Sequence, residues 1–296
     1  LITPRQVSSV VFVFLTAACL SAALAAEEQT LEDRIAVVEG LSGPEAVHWD
    51  AGQALWFVSN FNGDASGDAN GFISKLSPDG RILELEFMTG TEDYPLHGPR
   101  GMRIDGEKLW VADAEGVHAF DRRSGEHREF IDFSSFAPGF LNDLELGPDG
   151  ALYLTDTSTP RLFRIAGDEI SVVADAGLAS PPNGIVWDPA EGALVLAPWG
   201  GGLALMDYEP DTGDLAAGLA LPDGGNMDGL EPWRGGLLVA SQVDQAIWFV
   251  RSDGAEVLIR TPGRPADIGL DPDRGIIAVP YIALDRVDFW ALPDGH

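Results

Sequence analysis

Residues 181–197 read PPNGIVWDPAEGALVLA. A Pro/Gly turn leads into a short apolar run at Ile185, Val186 and Trp187, and a second turn leads into another run. Runs this short, bounded by turn residues, read as strands rather than helices. Asn183 sits in the crook of the first turn, where one copy alone would be explained by turn chemistry. The pattern recurs, however, as GPEAVHWDAGQALWFVS from Gly43, GPRGMRIDGEKLWVAD from Gly98, and FLNDLELGPDGALYLTD from Phe140. It returns as NMDGLEPWRGGLLVAS from Asn226 and RPADIGLDPDRGIIAVP from Arg264.

The second residues of the six units fall at 44, 99, 141, 182, 227 and 265, so the spacings are 55, 42, 41, 45 and 38. A period near 40 residues with four short strands per unit is the pattern of propeller blades. In the third unit the strands are expected at Leu144–Leu146, Ala151–Thr155, Arg161–Ile165 and Ile170–Ala174, with GPDG at 147–150 as the first hairpin turn. The last unit is one strand short, with strands near 268–270, 275–279 and 286–290. The segment DRIAVVE at 33–39 is free to supply the missing one and remove the open edges. The expected fold is therefore all-β, a six-bladed β-propeller over residues 31–296 with its last blade closed by an N-terminal strand. A β-sandwich would not explain six similar units. Trp56, Trp110 and Trp248 fall inside strand patterns and are expected to pack between blades.

Residues 1–25 stand apart. Arg5, an apolar run from Val10 and the small residues Ala23–Leu24–Ala25 fit a cleaved signal peptide, which implies a periplasmic or secreted protein. Cys19, the single cysteine, lies in this leader; Thr16 weakens a lipoprotein box, leaving a lipid anchor as the minor alternative. Removal of the leader excludes disulfides and thiolate chemistry. Asp and Glu number 47 against 18 Lys and Arg, for a net charge of −29. Nucleic acid is a poor partner for such a body, whereas cations are favoured. No later segment is apolar enough for a membrane span, and a monomer is expected.

In a propeller the first strand of each blade lines the axis, so equal positions in the six units form a ring. The slot of Asn183 holds Glu45, Arg100, Asn142, Asn183, Asp228 and Ala266; the next holds Ala46, Gly101, Asp143, Gly184, Gly229 and Asp267. Turn chemistry alone would not place Glu45 or Arg100 there. Glu45, Asn142, Asn183 and Asp228 offer hard oxygens that suit one divalent cation, Ca2+ foremost. Mn2+ and Mg2+ are further candidates; Zn2+ is a poor fit without His or Cys. The alternative is a wet polar channel plugged by Arg100 paired to Glu45 or Asp228. Asp143 and Asp267 are candidates for holding the donors in place.

GPEAVHWD, PPNGIVWD and MDGLEPWRGGLLVAS resemble the family of senescence marker protein (regucalcin), gluconolactonase and luciferin-regenerating enzyme, from about Ile35 to the end. The resemblance implies one ion held by Glu45, Asn183 and Asp228; related bacterial lactonases and paraoxonases add the Asn of an ND pair, here Asn142. It also implies hydrolysis of a small-molecule lactone, with related esters or phosphotriesters as the alternative. A non-catalytic calcium-stabilised binding module is the competing class, and a propeller lyase is disfavoured by the oxygen ring. In a lactonase the ion would polarise the carbonyl and Asp228 would act as base or water-positioning group. Arg100 and His97 are the other catalytic candidates, Arg100 also binding substrate together with Tyr94, Phe140 and Trp199; Leu96 and Phe136 are further wall candidates, and His48 is expected to be structural. The Arg/Asn pair that holds a sugar in some relatives is not found cleanly, and a paraoxonase-like His dyad is not evident. In NFNGDASGDANG at 60–71, Asn60, Asn62, Asp64 and Asp68 look like ion ligands, but the EF-hand pattern fails at Ala65 and Gly71, and a loop is the expected reading.

Overall fold

Each of the six units folds into one four-stranded antiparallel sheet, and the strands of five sheets follow chain order from the inside outwards. The coordinates are a computed structural model that describes residues 34–64, 67–175, 177–222 and 225–293. The innermost strands are Pro44–Asp50, Met102–Asp105, Leu141–Leu146, Pro182–Asp188, Met227–Trp233 and Gly269–Asp271. The sixth sheet takes Gly269–Asp271, Ile276–Tyr281 and Arg286–Ala291 from the C-terminal unit and its outer strand, Arg34–Glu39, from the start of the propeller. The chain is thus an all-β six-bladed propeller closed as expected. The leader, with Cys19, lies outside the described residues. Among the described residues, no helix is long and apolar enough to cross a membrane.

The closing strand runs antiparallel to Arg286–Ala291, with Val38 opposite Val287. Arg34 lies 3.5 Å from Asp288, whose fully buried carboxylate also meets Arg286 at 2.8 Å. The core is divided among the seams between blades. Trp56 is fully buried with Phe289 edge-on at 5.3 Å, joining the first blade to the sixth. Trp110 packs with Leu144 and Phe163 of the next blade, and Trp248 lies against the Val186 and Val195 cluster. The three tryptophans therefore lie at blade seams, where their large apolar area removes most surface from water.

The inner strands carry one device that aims the site. In four of them the pairing slips by a residue at one point: between Pro44 and Val47, Leu141 and Leu144, Pro182 and Ile185, and Met227 and Leu230. Two residues on the inner strand oppose one on its neighbour, which is a β-bulge, a feature that re-aims side chains. The bulged pairs are Glu45–Ala46, Asn142–Asp143, Asn183–Gly184 and Asp228–Gly229. The two units without an oxygen donor in this slot, at Arg100 and Ala266, start their inner strands later, at Met102 and Gly269.

Glycines in the second slot of the ring, at positions 101 and 184, let neighbouring blades approach closely. A Cβ on Gly184 would sit 2.3 Å from the Asp228 carbonyl oxygen, and one on Gly101 would sit 2.0 Å from Asp143 Oδ1. Across the last seam, the Asp267 N–H donates to the Glu45 carbonyl at 2.9 Å and the Val47 N–H to the Asp267 carbonyl at 3.1 Å.

Candidate functional site

A pocket of about 220 Å3 opens at the axis above the bulges. Its lining includes Glu45, Asn142, Asn183 and Asp228, the four oxygen donors read from the ring, although they are up to 183 residues apart along the chain. All four are at most 4% exposed. The remaining lining comes from Phe61, Phe140, Thr157, Ser158, Trp199, Gln242 and Ile282.

Three of the donors present oxygens that nothing in the protein satisfies. Glu45 Oε2, Asn183 Oδ1 and Asp228 Oδ1 are buried without a hydrogen-bond partner. Buried polar atoms are almost always paired, so three orphans lining one pocket call for a ligand, water or ion. The other atoms of the set are occupied in ways that orient it. Gln242 Nε2 donates to Asp228 Oδ2 at 2.7 Å, and Asn142 Nδ2 donates to Thr157 Oγ1 at 3.0 Å. Thr157 Oγ1 in turn donates to the Pro182 carbonyl at 2.8 Å, so the Asn142 amide is tied to the next blade with its oxygen still available for the pocket.

The electrostatics favour a cation. Burial holds Glu45 well above the usual carboxylate range, and Asp228 and Asp143 add to the effect while Arg100 opposes it. Burial pushes Asp228 up to about 7, the Gln242 hydrogen bond opposing and Asp143 adding. Asp143 is likewise pushed to about 6 by burial, against Arg103, and Asp267 is held well above its ordinary value by burial and its acidic neighbours. Acids crowded in a low-dielectric space resist ionisation together, and a divalent ion removes that penalty. Among the described residues, no group of three or more His, Cys, Asp or Glu side chains is placed to hold a metal. The ring is of another composition, two carboxylates and two amides, and its three orphaned oxygens fit a hard cation such as Ca2+.

The two aspartates of the second slot are braces. Asp143 Oδ2 accepts from the Ile185 N–H at 2.9 Å, two residues beyond Asn183, and Oδ1 accepts from the Leu144 N–H at 2.7 Å. Thr155 Oγ1 accepts from the Asp143 N–H and donates to the Asn183 carbonyl at 2.6 Å. Asp267 is bonded to the first blade through its backbone. Deeper on the axis, Arg103 pairs with Glu145 at 2.9 Å, and Glu145 Oε2 accepts from the Trp187 N–H at 3.2 Å. His48 has its pKa lowered well below the ordinary value by burial and by Arg103.

The other candidates separate into two groups. Phe140 and Trp199 line the pocket. Arg100 does not: it is 1% exposed, with Cζ 3.8 Å from the Phe140 ring centre and 5.7 Å from that of Phe61. It lies behind these rings, close enough to Glu45 to act on its charge. His97 and Tyr94 are also outside the lining. His97 Nδ1 accepts from the Ala69 N–H at 3.1 Å, so the imidazole supports the 60–71 loop. Tyr94 is 46% exposed and stacks on His127. Leu96 is buried in the core between the first two blades and Phe136 packs against Phe163, neither on the pocket. Within the loop, Asn62 Nδ2 donates to the Asn70 carbonyl at 2.8 Å, and Asp68 Oδ2 accepts from the Asp64 N–H at 2.9 Å. Asn60 is turned inward to Ser74 and the Val58 carbonyl, so the four do not gather around one point.

Gln242, Thr157, Phe61 and Ile282 escaped the reading of the sequence because it compared only the first strands of the units; each stands directly after the second strand of its blade, as Trp199 does. A histidine pair also escaped it: His118 Nδ1 lies 3.0 Å from His127 Nε2, and His118 Nε2 lies 3.5 Å from Asp113. These residues lie on neighbouring strands of the second blade, outside the axial pocket.

The SMP-30/Gluconolactonase/LRE-like region matches residues 43–265, and the chain belongs to this family. Among solved structures, a gluconolactonase of Xanthomonas campestris superposes with a TM-score of 0.66 at 19% identity, covering 92% of this chain and 93% of that one. Virginiamycin B lyase of Staphylococcus aureus superposes with a TM-score of 0.61 at 15% identity, covering 87% and 99%. At these identities the likeness is one of fold. No curated protein matches the chain significantly.

Proposed function

We propose that the protein is a cation-dependent hydrolase of small lactones, with Glu45, Asn142, Asn183 and Asp228 holding one Ca2+. The observation that carries the reading is the meeting of three orphaned buried oxygens, two of them from acids, in a pocket on the propeller axis. Membership of the gluconolactonase-containing family supports a lactone over other carbonyl substrates. When bound, the cation supplies Lewis-acid polarisation of a carbonyl and charge for the developing oxyanion.

The chain's own residues supply the rest. Gln242 fixes Asp228 through Oδ2, so that Oδ1 is turned to the pocket. Asp228 takes the proton of the attacking water, and the same proton passes to the ring oxygen as the acyl C–O bond breaks. The product is a hydroxy acid, and Asp228 returns to its carboxylate form. Phe61, Phe140, Trp199 and Ile282 hold the ring against the donors and exclude bulk water. Arg100 is the buried counter-charge of Glu45, shielded from substrate by Phe140.

The test is a panel of aliphatic, aromatic and sugar lactones, aryl esters and phosphotriesters. Each is assayed after chelation and again with Ca2+, Mn2+, Mg2+ or Zn2+. Lactone turnover that is lost on chelation and restored by Ca2+ is expected. Flat rates across the panel, with calcium still bound, would transfer the fold to the binding-module reading.

A further inference from the structure

We infer that the lactone taken by this pocket carries hydrocarbon rather than the hydroxyl groups of a sugar; the inference rests on the hydrolytic reading above. The pocket divides into a polar floor and apolar walls. The floor is the four-residue donor set. The walls are Phe61, Phe140, Trp199 and Ile282, three of them aromatic.

The polar groups among the remaining lining residues are largely committed elsewhere. Thr157 Oγ1 accepts from Asn142 and donates to the Pro182 carbonyl. The Gln242 amide nitrogen is directed to Asp228. Ser158 is exposed, at the mouth rather than the wall. Arg100 is stacked on Phe140 and is not part of the lining. A polyhydroxylated ring bound on the floor would press its hydroxyls against aromatic carbon. A ring fused to a benzene or carrying a short alkyl chain would meet it with apolar surface, which is what such walls reward. At about 220 Å3 the pocket lies below the roughly 300–1,000 Å3 usual for ligand sites, a size that suits a small lactone.

The test compares dihydrocoumarin with glucono-δ-lactone by kcat/KM, and the non-hydrolysable lactam of each by calorimetry, all with Ca2+ present. The expected result is a preference of ~10-fold or more for the benzo-fused compound in both readouts, the scale on which apolar pockets discriminate. Trp199→Ser and Ile282→Ser are expected to narrow the kcat/KM ratio, which does not depend on the fraction of folded enzyme. Equal or faster turnover of glucono-δ-lactone would overturn the inference and leave the hydrolase reading standing. Preferential binding of the benzo-fused lactam without hydrolysis of either lactone would overturn the hydrolase reading alone. Failure of both lactams to bind would overturn both.

Discussion

Gln242 Nε2 donates to Asp228 Oδ2 at 2.7 Å, which leaves Asp228 Oδ1 as the buried, unpartnered oxygen of that carboxylate. One carboxylate thus has a fixed side and an open side. The fixed side comes from the loop after the second strand of the blade, 14 residues further along the chain.

The first prediction concerns that orientation. Gln242→Leu removes the donor while keeping similar bulk, and Asp228 becomes free to rotate. Groups that orient a metal ligand are typically worth ~10–100-fold in affinity. Calcium binding to the variant, measured by competition with a chromophoric chelator, is expected to weaken by at least ~10-fold with the far-UV spectrum unchanged. Unaltered affinity would remove Gln242 from the account.

Stability of the cation-free protein should depend on pH in an unusual sense. Burial pushes Asp228 up to about 7, Asp143 to about 6 and Glu231, on the inner strand Met227–Trp233, to about 8, with Glu45 also held high. In the unfolded chain all titrate near ~4. A folded pKa above the unfolded one contributes stability that is complete below the unfolded value and is lost as pH rises through the folded value. In chelator, the thermal midpoint is therefore expected to fall as pH rises from about 4, the unfolded value, to about 8, the highest folded value. Each group contributes up to ~1.4 kcal/mol per pH unit within its window. Paired Glu45→Gln and Asp228→Asn substitutions should flatten the slope, and the gain from added Ca2+ should grow with pH. A midpoint that rises with pH in chelator would contradict the assignment.

The fold was legible because its units repeat: positions 44, 99, 141, 182, 227 and 265 brought the Glu45, Asn142, Asn183 and Asp228 slot into register before any coordinates. The same register named Asp143 and Asp267 as neighbours of the donors. What it could not convey lies in the loops that the repeat does not govern. Tyr94 and His97 precede the second unit closely in sequence, yet their loop carries them to His127 and Ala69 instead of the pocket. Arg100 shares the donors' slot, but its inner strand begins only at Met102, and the side chain lies behind Phe140. Phe61 and Ile282 each stand directly after the second strand of their blade, a position equivalent to that of Trp199 that the comparison of first strands did not reach.

Close approach of the blades makes a third prediction. A Cβ at position 184 would lie 2.3 Å from the Asp228 carbonyl oxygen, which is backbone and cannot swing away. Gly184→Ala is expected to cost about 1–3 kcal/mol by overpacking and to weaken calcium binding, because the displaced strand carries Asn183 beside it. At position 192, a glycine with positive φ in the turn between the inner and second strands of the same blade, an added Cβ meets nothing within 4 Å. Gly192→Asn, a residue tolerant of that backbone region, should therefore leave calcium binding unchanged. Equal loss of calcium affinity at both positions, by titration, would show that the effect is not local to the seam.

The arrangement of Glu45, Asn142, Asn183 and Asp228 around one ion is tested most directly by anomalous scattering from a crystal grown in Ca2+ and a second grown in Mn2+. The account predicts one strong peak on the propeller axis with oxygens of all four side chains at ~2.3–2.6 Å from the Ca2+, and its loss in Asp228→Asn with Glu45→Gln. A calcium-saturated crystal with no axial peak, or with its peak in the 60–71 loop, would contradict it.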